Sequence, residues 1–272
     1  MPTTYNQGIA RVDGGWIVSG SNVPLKDTDV IARVDENFTV ITEVKPAIPQ
    51  SLKDQGYRHV GDIDVVGRVI YAPLEQPDFE LGHQATARYD VDTLAFIDSV
   101  TLAQHENSFV TVDAATMTAY SMDRFDGNEL VRYDVANNWT PLPPLKMTMT
   151  LHRTQGADVA DGAVWVSTDD EGNGVYRVDL KTGDTTRAGT LGHIDGEGEG
   201  FDATPTAKGR FTGLVIDLRQ GKGKVVVGYY DLDKDDKGNG TGPWVIVAAV
   251  GAVLVLVAFA GEWAWRRRRS RP

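Results

Sequence analysis

The residues best suited to chemistry are four of the five histidines, which recur at nearly even intervals. They are His59, His105, His152 and His193, separated by 46, 47 and 41 positions. Neutral imidazoles and carboxylates from separate segments could surround a divalent cation. Alternatively, each histidine caps the turn into a strand and hydrogen-bonds backbone, which explains the regular spacing without further assumption. Both interpretations stay open.

The last histidine begins a segment that is more acidic than its upstream counterparts, His193-Ile-Asp-Gly-Glu-Gly-Glu-Gly-Phe201. Its glycines let the backbone approach a neighbour closely, while Glu197 and Glu199 project carboxylates. Such oxygen ligands favour calcium, and a carboxylate placed here could also serve as a general base. This asymmetry favours one functional unit among the copies.

The elements that must position these residues are short strands arranged in repeated units. Residues 7–48, 59–102, 105–145 and 152–191 form four units, and a fifth starts at Gly196. Each contains short segments rich in β-branched and aromatic residues, separated by Gly, Asn and Asp. Periods of roughly 40 to 50 residues built this way are typical of propeller blades.

The third segment of four units ends in the same pattern, an arginine two residues before an aspartate. The copies are Arg33-Val-Asp35, Arg88-Tyr-Asp90, Arg132-Tyr-Asp134 and Arg177-Val-Asp179. An alternating strand would point the arginine outward, and the aspartate would begin the turn to the next strand. The pattern therefore predicts structure rather than chemistry.

This organisation resembles the β-propeller superfamily and predicts an all-β, five-bladed β-propeller over residues 1–232. We expect the blades to start near Gln7, His59, His105, Gln155 and Glu197. The fifth unit is one strand short. Either residues 1–5 supply that strand, or the natural chain begins further upstream.

The resemblance implies a central channel lined by the innermost strands, with the loops into those strands opening on the face that binds ligand. The polar residues expected to bind ligand at that mouth are Gln7, Asp62, Asn107, Gln155 and Glu197. The expected metal ligands are His59, His105, His193 and Glu199, with a divalent metal as cofactor and calcium favoured. Propeller enzymes resembling lactonases and esterases hold a divalent ion in the channel, and Asp62, Asn107 and Glu199 are compatible with such a site.

The C-terminal part of the chain predicts a membrane anchor. A polar linker at 233–243 leads to an apolar stretch at 244–265, long enough for a single transmembrane α-helix across a lipid bilayer. Five arginines in the tail, 266–272, four of them consecutive, favour a cytoplasmic C-terminus and place the propeller outside the cell membrane. No signal peptide precedes the first strand, so a tail-anchored protein with a cytoplasmic propeller is the alternative.

Composition and charge limit the classes of partner that this chain can bind. The chain has no cysteine and a net charge of −11, and residues 1–243 carry 22 basic against 37 acidic side chains. Such a domain should repel nucleic acid, so the expected partners are an envelope protein, a glycan or a small molecule. No nucleophile elbow, zinc helix, Walker loop or dinucleotide fingerprint occurs. Two hypotheses follow: a surface-anchored binding or scaffolding propeller, and a metal-dependent hydrolase or lyase.

Overall fold

The computed structural model describes residues 4–22, 27–76, 83–123, 125–170, 172–192, 196–217 and 224–231. This part of the chain is all-β apart from one short helix, α1 (Gln50–Lys53). Its strands form five separate antiparallel sheets, each built from consecutive segments. The prediction of a five-bladed propeller is confirmed.

Four blades have the four strands expected from the repeats. Blade 1 consists of β1 (Ile9–Val12), β2 (Gly15–Gly20), β3 (Val30–Asp35) and β4 (Val40–Val44). Blade 2 consists of β5 (His59–Val60), β6 (Asp64–Val66), β7 (Val69–Glu75), β8 (Gln84–Asp90) and β9 (Phe96–Leu102), with β5 and β6 together forming its inner strand. Blade 3 consists of β10 (Thr111–Asp113), β11 (Thr118–Ser121), β12 (Gly127–Asp134) and β13 (Thr140–Leu151). Blade 4 consists of β14 (Thr154–Ala160), β15 (Ala163–Thr168), β16 (Gly174–Asp179) and β17 (Thr185–Thr190).

Blade 5 has three strands in the described part of the chain. They are β18 (Gly196–Asp202), β19 (Phe211–Asp217) and β20 (Lys224–Tyr230). The inner strands contact one another in a closed cycle, in the order β1, β6, β10, β14, β18 and back to β1. We call the side where these strands begin the upper face and the side where they end the lower face.

The blades are held together by apolar cores at their interfaces. Five clusters of buried side chains lie between adjacent blades, one for each of the five junctions. Strand β2 is buried along its whole length because both of its faces pack against other elements, and β15 is buried in the same way. Burial on both faces explains why these segments read as near-continuous apolar runs.

The repeated aspartate begins the turn to the next strand, as the sequence predicted. Asp35 Oδ1 accepts the backbone N–H groups of Asn37 and Thr39, both at 2.8 Å, and so closes the turn between β3 and β4. Asp179 Oδ1 accepts those of Lys181 and Thr182 in the same way. These bonds are local, which is why the sequence alone could predict them.

The described residues bear on the prediction for the N-terminus but not on the predicted C-terminal membrane anchor. Tyr5 donates its hydroxyl to Glu43 Oε2 at 2.6 Å, so it lies against blade 1, and residues 4 and 5 belong to no strand. Residues 1–3 lie outside the described part. The linker at 233–243 and the membrane helix at 244–265 also lie outside it, and none of the described helices is long and apolar enough to cross a bilayer.

Candidate functional site

The inner strands meet at a ring of small residues around the channel axis. Each blade contributes one residue at the same position, namely Gly8, Gly61, Ser108, Gly156 and Gly200. A Cβ atom on Gly156 would lie 2.7 Å from the carbonyl oxygen of Glu199, and one on Gly200 would lie 2.7 Å from that of Gln7. Neighbouring backbones therefore touch, and a side chain at these positions would force the blades apart.

Asp62 follows this ring in blade 2 and lies on the axis itself. Its Oδ1 accepts the backbone N–H of Ile9 at 3.1 Å, while Oδ2 accepts those of Ala157 at 3.0 Å and Phe201 at 3.2 Å. Its own N–H donates to the carbonyl of Ser108 at 2.8 Å. One residue thus joins blade 2 to the four other blades.

The environment of Asp62 is closed to solvent. The side chain is 1% exposed, and burial raises the pKa of its carboxyl well above the usual range, while the three N–H donors act in the opposite direction. Both oxygens are directed at backbone groups of other blades. Asp62, which the sequence predicted as a ligand-binding residue, therefore holds the backbones of the other blades together by hydrogen bonds.

Asn107 is fully buried and also connects parts of the fold. Its backbone N–H donates to Glu75 Oε1 at 2.8 Å, its side-chain amide donates to the carbonyl of Ala85 at 2.9 Å, and Ser121 donates to its Oδ1 at 2.9 Å. This predicted ligand-binding residue therefore connects β7, β8 and β11.

His59 faces a carboxylate that the sequence did not single out. Its Nδ1 lies 3.1 Å from Oε2 of Glu75, outside the angular range of a hydrogen bond, and Glu75 is 3% exposed. The two residues are paired across β5 and β7. The imidazole and the buried carboxylate are thus neighbours at the start of blade 2, without the hydrogen bond that would orient the imidazole as a base.

The other predicted residues of the upper face do not share one environment. His105 is exposed, whereas Gln155 and Glu199 are buried, and Gln7 and Glu197 are half-buried. The side-chain amide of Gln155 lies 3.4 Å from Asp169 Oδ2, and Asp169 also pairs with Arg153.

The metal centre stays a prediction. Within the described ranges no three His, Asp or Glu side chains converge so as to hold a metal ion. Of the four predicted ligands, His193 lies outside those ranges. His152, the remaining histidine of the repeat, is exposed on the surface and pairs with Asp126 at 2.6 Å. A shared role for the four histidines is therefore not visible in the described residues.

A second polar layer lies below the ring, towards the lower face, and it is acidic. Asp64 Oδ2 accepts the N–H of Val112 at 2.7 Å and Asp158 Oδ2 accepts that of Ala203 at 2.8 Å. Thr111 Oγ1 lies 3.1 Å from Asp64 Oδ2 and 3.5 Å from Asp158 Oδ1. Each of these bonds passes from one blade to the next.

Asp202 completes this layer, with its Oδ2 accepting the N–H of Arg11 at 2.7 Å. Burial raises the pKa of Asp202 to about 6. Burial likewise raises the pKa of Asp64, and it raises that of Asp158 well above its usual range, with the charges of the other two carboxylates adding to the effect. The lower channel therefore holds three interacting carboxyl groups with elevated proton affinity, a common property of functional sites and of buried ionic networks alike.

Sequence reasoning missed Glu75 and the acidic layer. A signal for part of the layer was present, since Ala157-Asp158 and Phe201-Asp202 place an aspartate directly after the same position of two neighbouring blades. Aligning the five copies on the glycine ring, rather than on the histidines, would have found it. No comparable signal existed for Glu75, which ends a buried strand.

Comparison with known proteins identifies the fold. No family model and no curated protein matches the sequence. Among solved structures, the crystal structure of a glutaminyl cyclase from Myxococcus xanthus is similar, with a TM-score of 0.54 over 82% of this chain and 90% of that one. The sequences are 10% identical, so the likeness concerns the propeller fold alone.

Proposed function

We propose that this chain is a membrane-anchored, extracytoplasmic propeller whose upper face binds a protein, a glycan or a small molecule. The observation that supports it best is the bonding of Asp62, whose two oxygens accept N–H groups from three other blades. With its axis sealed in this way, the domain is a rigid disc that presents loops on either side. Rigid scaffolds with variable loops are the usual basis of recognition surfaces.

The location outside the membrane is part of the same proposal. It is supported by the apolar stretch at 244–265 and the arginines that follow, which favour a cytoplasmic C-terminus. The acidic charge of the domain favours cationic partners over nucleic acid or anionic lipid.

Site-specific photo-cross-linking of the full chain in its native membranes tests the binding face. His105 is exposed on the upper face, and Lys181 is exposed in a turn on the lower face. A cross-linker at position 105 should give a discrete product that the same group at position 181 does not give. Identical products from both positions, or none from either, would contradict an upper binding face.

A metal-dependent hydrolase or lyase is the second candidate. It is favoured by the carboxyl groups of Asp64 and Asp158, which lie near one another, are half-buried and have raised pKa values, as expected for acid–base catalysis. The similar Myxococcus structure is named a glutaminyl cyclase, so a comparable propeller carries an enzyme. A calcium ion held by Glu199 together with His193 would lie on the upper side of the ring, apart from Asp64 and Asp158, so in this candidate it would stabilise the fold rather than take part in the reaction.

Turnover assays separate the two candidates. The substrates would be a lactone, an ester and a peptide with N-terminal glutamine. If the chain is such an enzyme, Asp158→Asn should lower kcat by about 10²-fold or more, while Asp13→Asn on the exposed β1–β2 turn should not. If a metal is bound, calcium should raise the melting temperature and Glu199→Gln should remove that increase. Absence of turnover together with melting that ignores calcium and chelator would reject this candidate.

A further inference from the structure

The junction between blade 5 and blade 1 closes the ring, and two polar side-chain atoms are buried in it without a hydrogen-bond partner from the described part of the chain. They are Nε1 of Trp16, in β2, and Oγ1 of Thr212, in β19. Both residues are fully buried. Because a buried donor without an acceptor lowers stability, two such groups at one junction indicate a shared partner.

Strand register places the two atoms in the same layer of the junction. Asp202 pairs with Thr212, and Thr212 pairs with Tyr229, so these three side chains lie in one row on one face of blade 5. On the facing sheet of blade 1, Trp16 pairs with Arg11. The rows meet at their inner end, where the backbone N–H of Arg11 donates to Asp202 Oδ2 at 2.7 Å. They meet again further out, where the ring centroids of Trp16 and Tyr229 are 6.4 Å apart.

The contacts of Trp16 use the faces of its ring and leave the N–H at its edge. Phe38 stacks on the indole with ring centroids 6.0 Å apart, and the guanidinium of Arg11 lies 4.7 Å from the ring centroid. The indole of blade 4 differs, since Trp165 Nε1 donates to the carbonyl oxygen of Ala160 at 3.3 Å. The fold thus satisfies an indole with backbone where a carbonyl is within reach, and Trp16 requires another acceptor.

The chemistry of the row defines the partner. Trp16 Nε1 can only donate, whereas the hydroxyl of Thr212 can donate and accept. The oxygens of Asp202 accept the N–H groups of Arg11 and of Thr204, at 2.7 Å and 2.9 Å, and each can accept one more hydrogen bond. A cation cannot accept the hydrogen bond of the indole, and an anion would lie against the Asp202 carboxyl. A small neutral group that both accepts and donates fits all three.

We propose that a single water molecule is bound in this layer. It accepts from Trp16 Nε1–H and is bonded to Thr212 Oγ1 and to an oxygen of Asp202, so that it joins blade 1 to blade 5. Buried waters make about three hydrogen bonds to polar groups that otherwise have no partner, as this arrangement provides. The site is separate from the upper face and from any turnover, so its failure would leave the proposed function standing.

Urea unfolding of the full chain in lipid nanodiscs, followed by circular dichroism, tests the proposal through Thr212→Val and Trp16→Phe. Thr212→Val keeps the branched shape and removes the hydroxyl. If water binds the hydroxyl, this change should lower the folding equilibrium constant about tenfold, whereas a hydroxyl without a partner would make valine stabilising.

The double variant shows whether the two residues share one partner. Because either change removes a ligand of the same water, their effects should be non-additive by about fivefold or more in the folding equilibrium constant. The matched control is Thr154→Val, which removes another buried hydroxyl without a partner, in β14. Its effect should add to that of Trp16→Phe, since the two residues lie in different blades.

Nuclear magnetic resonance identifies the partner as water. With ¹⁵N-labelled tryptophan, the indole proton of Trp16, assigned by its loss in Trp16→Phe, should show cross-relaxation with water. The cross peak should have opposite signs in NOESY and ROESY spectra, and it should persist in Thr212→Val, which keeps the bonds to Trp16 and Asp202. No such peak in the parent protein, its loss in Thr212→Val, a more stable Thr212→Val, or additive effects of the two changes would each overturn the proposal.

Discussion

Asp62 Oδ2 accepts the backbone N–H of Phe201 at 3.2 Å, although the two residues are 139 positions apart in the chain. The bond spans from blade 2 to blade 5, and the same carboxylate also binds blades 1 and 4. A ring closed only by apolar contacts between adjacent blades could slide or open. A central acceptor shared by several blades opposes both movements.

Removing this acceptor should destabilise the domain strongly. Asp62→Ala would leave three buried N–H groups unsatisfied, each of which costs about 1–3 kcal/mol, so we expect a loss of roughly 3–9 kcal/mol in the free energy of unfolding. Asp62→Asn should also destabilise, because its NH₂ group would face N–H donors. Denaturant titration measures both. As a control, Asp13→Ala on an exposed turn should stay within about 0.5 kcal/mol of the parent. If Asp62→Ala were equally stable, the hydrogen bonds of Asp62 would not be needed to hold the blades together.

The acidic layer should make stability depend on pH in an unusual direction. Because the folded-state pKa of Asp202 is raised to about 6, its stabilising effect is fully present below the unfolded pKa of about 3.9 and is lost as the pH rises through 6. Asp64 and Asp158 act in the same direction. Unfolding free energy should therefore fall between pH 5 and pH 7, by at most about 1.4 kcal/mol per pH unit for each proton released.

Asp202→Asn provides the comparison for this effect, since it cannot titrate and should show a shallower fall over the same window. The turn aspartates Asp90 and Asp179 have lowered pKa values, chiefly because backbone N–H groups donate to them, so their contribution is lost only at lower pH. If the unfolding free energy of the parent protein rose from pH 5 to pH 7, the carboxyl groups of the lower channel would be ionised in the folded state at no cost in stability.

The repeat could be predicted from the sequence because its determinants are local. Asp35 and Asp179 bond to N–H groups two to four residues further on, so strand and turn signals recur in each unit. The three strands of blade 5 in the described part of the chain were equally visible, since the polar stretch at 232–242 has no strand composition. Fold class and blade number follow from such short-range chemistry.

The site could not be predicted in the same way. Strands begin at different distances from the repeated histidines: β5 starts at His59 itself, but β10 starts at Thr111, six residues after His105. Equivalent spacing in sequence thus gives one histidine beside Glu75 and another exposed in a loop. Nor does sequence tell whether an acid near the axis faces a ligand or, as Asp62 does, the backbone of other blades.

Because neighbouring backbones touch at the ring, we expect even one added methyl group there to destabilise the fold. In Gly156→Ala the new Cβ would lie 2.6 Å from Asp62 Oδ2 and 2.7 Å from the carbonyl oxygen of Glu199, and neither group can move without breaking bonds between blades. We expect destabilisation of at least about 1–3 kcal/mol, measured by thermal or denaturant unfolding. In the matched control, Gly172→Ala, the nearest atom is the end of the flexible Arg187 side chain, so the change should be small.

Removing residues 232–272 should release the propeller from the membrane. The described strands end at Tyr230, and all five interfacial cores are formed by residues that precede the cut, so the domain should keep its β-rich circular dichroism spectrum. Fractionation should then find the truncated chain in the supernatant after ultracentrifugation. A shorter deletion that removes only 266–272 should stay in the membrane pellet, because it keeps the apolar stretch. A truncated chain that is folded and still sediments with membranes would place the anchor elsewhere, whereas release of both deletions would assign membrane attachment to the arginine cluster.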